Sequence, residues 1–85
     1  MNTKNYLLGT IKCMQQGLYD DSEQMKEEAK ILIDTIKYKA LPFDEQQRLT
    51  KPFDFIQKLA KGHYNKYSII KGQANRILKE FYSTN

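Results

Sequence analysis

Apolar side chains recur along this chain with helical spacing, and short polar interruptions divide the rhythm into four runs. In the first, Leu7, Ile11, Met14 and Leu18 follow at intervals of four, three and four residues. That is one face of a helix over residues 4–18, with Thr3 placed to cap it. Tyr19-Asp20-Asp21-Ser22 breaks the pattern. Asp21 or Ser22 then suits the free N–H groups of a second helix, 22–39, whose early acids Glu23, Glu27 and Glu28 favour the helix dipole. Its apolar face is Met25, Ala29, Leu32, Ile33, Ile36 and Ala40. Leu41-Pro42 stops it, because the residue before a proline is disfavoured in helical conformation.

A third helix is expected over 45–61, with Leu49, Phe53, Ile56 and Ala60 on one face, Leu59 beside them, Asp44 as cap and Phe43 as a hydrophobic staple. Pro52 falls inside it, where a proline removes a backbone hydrogen bond at a cost of about 3 kcal/mol. The helix therefore either kinks or splits there. In the split form residues 44–51 make a separate short helix, and Thr50 caps a restart that holds Pro52 in its first turn. Gly62 suits a left-handed helix terminus, and His63-Tyr64-Asn65 makes the connection. The fourth helix, 66–82, aligns Tyr67, Ile70, Ala74, Ile77, Leu78 and Phe81. Gly72 weakens it by about 1 kcal/mol relative to alanine, which reads as a close helix approach. Four helices joined by short connections predict an all-α, compact antiparallel four-helix bundle, one domain over residues 1–85.

Composition agrees. Forty per cent hydrophobic and 28% charged residues, with only four Gly and two Pro, mark a folding chain with one core rather than a disordered one. Cys13 stands alone, so no internal disulfide forms and a cytoplasmic setting is expected. The N-terminal Leu7-Leu8 pair falls far short of the roughly 20 apolar residues of a span, so the protein is not expected to cross a membrane. The net charge of +4 is unevenly placed. Residues 1–56 hold eight Lys/Arg against nine Asp/Glu, whereas Lys58, Lys61, Lys66, Lys71, Arg76 and Lys79 face only Glu80 in the last third.

Chemistry is sparse. His63 and Cys13, the sole residues of their types, lie on different elements, which gives no nucleophile pair and too few ligands for a Cys/His metal site. Asp20-Asp21 and Glu27-Glu28 lack the Glu-x-x-His pattern of di-iron bundles, and no Gly-rich phosphate loop or GxSxG elbow is present. No catalytic, metal or cofactor residue is assigned. A non-enzymatic binding protein is expected, acting through a macromolecular partner.

The candidate contacts are residues that the helical pattern leaves outside the core. Ile31 and Tyr38 lie seven apart and opposite the Met25/Leu32/Ile36 face, as a ridge for a protein partner or a homodimer. Ile69 sits off the Ile70/Ile77 side. Lys58 and Lys61 share the outer face of the third helix with Lys51, followed by His63, Tyr64, Lys66 and Lys71. There Tyr64 and Tyr67 are placed to stack on bases while lysines meet phosphates, so nucleic acid is an alternative partner. Such binding would be non-specific, since lysine is a poor bidentate reader of bases.

The segment FIQKLAKGHYNKYSIIKGQANRILKEF resembles the closing half of the immunity proteins that protect producers of class II bacteriocins. The shared features are a helix, an Asn-Lys-containing turn, a β-branched apolar step and a final amphipathic helix, over roughly residues 55–82. The resemblance implies a cytosolic four-helix bundle that recognises a bacteriocin-occupied membrane receptor, with specificity in the C-terminal part. It puts weight on Tyr64, Lys66, Ile69, Lys71 and Tyr82. The alternative is a phage or mobile-element regulatory protein that inhibits a larger enzyme or nucleoprotein complex.

Overall fold

A computed structural model describes residues 2–83, and among them every regular element is helical. Helix α1 (Thr3–Gln16) starts under Asn2, not Thr3: the Asn2 side chain accepts from the Asn5 N–H at 3.1 Å. It ends two residues earlier than its periodicity predicts. Gly17 adopts φ 70°, and the N–H groups of Gly17 and Leu18 close onto the carbonyls of Met14 and Cys13, both at 3.1 Å. This left-handed cap is one that glycine adopts without penalty. Leu18, in phase with the core stripe but past the end of the helix, is 65% exposed.

Helix α2 (Ser22–Thr35) is capped by Asp21, whose carboxylate accepts from the Gln24 N–H at 2.9 Å, while Gln24 Oε1 accepts from the Asp20 N–H. The expected run to residue 39 stops at Thr35. The Thr35 hydroxyl donates back to the Ile31 carbonyl at 2.7 Å, and Ile36 turns extended. A side chain that bonds its own helix's backbone competes with helix continuation. The chain goes on through a 3₁₀ turn, Tyr38–Ala40, leaving Ala40 exposed.

The predicted third helix is two helices, α3 (Phe43–Arg48) and α4 (Thr50–Ala60), joined at Leu49. Pro52 is the third residue of α4, where the missing N–H is one that no helix satisfies internally, and its ring is buried. Neither helix has the side-chain cap expected of Asp44 or Thr50; the Thr50 hydroxyl instead donates to the Gln46 carbonyl at 2.9 Å. Phe43 makes no staple and is 74% exposed. At the end of α4, Gly62 takes φ 83° as expected, and the Gly62 and His63 N–H groups bond Leu59 and Lys58. Helix α5 (Tyr67–Ser83) follows. Gly72 marks no close approach: it is exposed, and a side chain there would meet nothing within 4 Å.

The core gathers Leu7, Ile11 and Met14 from α1, Met25, Ala29 and Leu32 from α2, Leu49, Phe55, Ile56 and Leu59 around α4, and Ile70, Ala74 and Leu78 from α5. Full burial of each large side chain stabilises by roughly 1.5–3 kcal/mol. Packing is most extensive between α1 and α5 and between α2 and α4, with α4 also against α5. The first and last helices run in opposite senses. Tyr67 at the start of α5 donates to the Tyr19 carbonyl just past α1 at 2.9 Å, and Gln15 bonds Asn75 further along at 2.8 Å. Helix α3 leans on α4, and none of its six residues is buried.

Candidate interaction surface

One end of the molecule, where α3, the start of α4, the end of α5 and the start of α1 meet, carries three adjoining depressions. A cleft of about 350 Å³ lies between α4 and α5, with Pro52, Ile77 and Phe81 as its apolar wall and Arg48, Lys51 and Glu80 as its polar one. On one side, Gln47 and Thr50 join it to a hollow of about 300 Å³ lined by Tyr38, Phe43 and Phe53. On the other, Arg48 and Phe81 join it to a groove of about 290 Å³ along α1 that is bordered by Lys4, Lys12 and Tyr82. The result is a continuous belt with two exposed aromatics, Phe43 and Tyr82.

Local interactions hold this belt in shape. The Tyr38 ring stacks on Phe53 with centroids 4.0 Å apart, and its hydroxyl donates to the Gln46 carbonyl. The Gln46 side-chain amide donates to the carbonyls of Leu41 (2.8 Å) and Lys39 (3.2 Å), fastening α3 to the 3₁₀ turn. Arg48 stands 5.3 Å from the Phe81 ring centroid, a cation–π contact, and Tyr82 meets Phe81 edge-on. Glu80 takes both Lys51 (3.3 Å) and Arg76 (3.5 Å), and Lys51 before Arg76 holds its carboxyl below the usual range. Among the described residues one Glu45 carboxylate oxygen is enclosed without a hydrogen-bond partner, an arrangement that destabilises α3.

The expected contact residues do not form one site. Ile31 is half exposed on the outer face of α2, beside the Glu27–Lys30 ion pair. Tyr38 has left that face, because α2 ends before it; it is half-buried in the belt, so the two residues make no common ridge. Lys58, Lys61, Tyr64, Lys66, Ile69 and Lys71 belong to the last turn of α4, its connection and the start of α5, at the opposite end from the belt. Lys58 is paired with Asp54 at 3.0 Å, and that bond raises its pKa. Tyr64 is half-buried with its ring 5.7 Å from Phe55, and Tyr67 is tied to Tyr19, so neither is an open stacking platform. Lys61, Lys66 and Lys71 are exposed, as is Ile69. Only Tyr82 and Tyr38 fall on the belt.

Among the other residues of the belt, Phe43 is expected as a staple rather than as a contact, and Lys4, Gly9, Lys12 and Arg48 carry no contact signal in the sequence. Away from the belt, burial pushes the Tyr19 phenol up to about 12, aided by Cys13, Glu28 and Tyr6. Among the described residues no group of three or more His, Cys, Asp or Glu is placed to hold a metal ion, and no helix is long and apolar enough to cross a membrane. Comparison of the chain with protein-family models, curated proteins and solved structures finds no match.

Proposed function

We propose that this protein is a non-enzymatic binding module that works by holding a partner protein on the belt around α3. The observation that carries this reading is the pairing of three confluent depressions with two exposed aromatics, Phe43 at 74% and Tyr82 at 59%, on a chain whose remaining large apolar residues mostly fill its core. Large exposed aromatics beside preformed hollows are typical of recognition surfaces. In this reading the main helices form an antiparallel four-helix bundle of α1, α2, α4 and α5, and α3 is an appended short helix. The unpaired Cys13 supports a cytoplasmic setting.

Capture tests the surface. Tagged protein retains a partner from bacterial lysate, and the Phe43→Asp/Tyr82→Asp variant loses it while keeping its circular dichroism. Retention by both forms overturns the assignment to the belt. The resemblance of residues 55–82 to class II bacteriocin immunity proteins adds a role, protection of the producing cell. Expression in a sensitive strain then gives survival under class II bacteriocin challenge, whereas undiminished killing across that class removes the immunity role and favours an inhibitor of an intracellular enzyme.

A further inference from the structure

The groove along α1 differs from the rest of the belt in its charge. Among the described residues its charged border, Lys4, Lys12 and Arg48, is basic. The central cleft sets Glu80 against Arg48 and Lys51, and the hollow beside Phe43 has Asp54 as its charged residue. It differs too in its floor, which includes Gly9 from the middle of α1. A glycine there weakens the helix, and nothing among the described residues requires it. Its φ is not positive, and a side chain at that point would meet nothing of the described residues within 4 Å. The missing Cβ leaves the α1 backbone bare between its two lysines. Gly72 also lacks contacts, but it lines none of the three depressions.

We propose that this groove receives an acidic amphipathic helix of the partner protein, packed along α1 with its backbone closest at Gly9. The inference rests on the protein-binding reading above and names the chemistry of the partner. Lys4 and Lys12 are eight residues apart on one helix, about 12 Å along its axis, which matches carboxylates two turns apart on a facing helix. Apolar side chains of the incoming helix lie against Leu8, Phe81 and Tyr82. A helix laid in a groove is anchored by residues at about i, i+3 or i+4 and i+7, and a glycine on the facing helix lets the two backbones approach. A single strand of nucleic acid would instead use successive stacking platforms, and this groove has one exposed ring, Tyr82.

The probe is a fluorescein-labelled helical peptide of about 16 residues, with leucines in the anchor pattern and glutamates elsewhere. Its controls are the same peptide with lysine for glutamate and a single-stranded oligothymidylate, all read by anisotropy against the whole protein. The acidic peptide binds, and its affinity falls about tenfold or more in both Lys4→Glu/Lys12→Glu and Gly9→Leu, whose circular dichroism matches the wild type. Equal binding of the lysine peptide, or indifference to both variants, overturns the proposal. If the acidic peptide fails while partner capture still depends on Phe43 and Tyr82, the acidic helix falls and the protein-binding reading stands. Binding of oligothymidylate alone overturns both.

Discussion

At one end of the molecule α1 passes into α2 and α4 into α5 through glycines in left-handed conformation, each closing its helix with backbone hydrogen bonds. At the other end α2 passes into α4 through a 3₁₀ turn and a six-residue helix, held largely by the side chain of Gln46 and by Tyr38 on Phe53. The first kind of connection is satisfied within its own backbone and needs only a residue that tolerates positive φ. The second depends on side chains that reach across five to fifteen positions, and it leaves Phe43 bare and a Glu45 oxygen without a partner among the described residues. A segment without buried residues opens locally at low cost while glycine-closed turns beside the core do not, so the proposed recognition surface lies at the end that yields more easily.

The contrast breaks most severely at Gly17. Gly17→Val places a β-branched residue at φ 70° and brings its Cβ to 3.0 Å from the Tyr67 hydroxyl. A loss of about 2–3 kcal/mol is expected, read from the denaturant midpoint. Gln46→Ala removes the fastening of α3 and costs about 1–2 kcal/mol. Its signature is local: amide exchange quickens in α3 and the 3₁₀ turn but not in α1, and a uniform acceleration would show that the two ends are not independent.

Tyr19, beside the Gly17 turn, gives a pH-dependent version of the same comparison. Its folded-state pKa of about 12 lies above the ordinary 10.0, so the folded chain keeps a proton that the unfolded chain releases in that interval. The associated stability is complete below pH 10 and is lost as pH rises towards 12. Because the ring is still partly within reach of solvent, about 1 kcal/mol is at stake, and Tyr19→Phe should flatten that part of the alkaline melting profile. The smallest effect on stability belongs to Phe43→Asp, within about 0.5 kcal/mol because the ring is already in water, although partner capture should weaken.

Much of the helical frame was legible in the chain because burial on one face imposes a period that survives in sequence. Ile11, Met25, Ile56 and Ile70 all lie where that period places them, and the left-handed state of Gly62 follows from its residue type. Pro52 allows either a break or a bend, and the geometry of α4 selects the break. Leu18 keeps the phase of α1 and so extends the expected helix, although Gly17 has already ended it. Tyr38 misled for a different reason: what draws it inward is Gln46 and Phe53, and such a polar and aromatic anchorage has no periodic trace. The belt was beyond the pattern, since it is assembled from separate helices and only the packing of α1 on α5 brings Lys12 and Tyr82 to one groove.

That packing of the first helix on the last also sets an order of events during synthesis. Helix α1 leaves the ribosome before α5, yet the surface that covers Leu7, Ile11 and Met14 most extensively comes from α5. Closing so long a loop is slow relative to forming single helices. Until residues 67–83 emerge, the nascent chain carries an apolar stripe that is only partly covered, and α2 with α4 is the pair able to consolidate first.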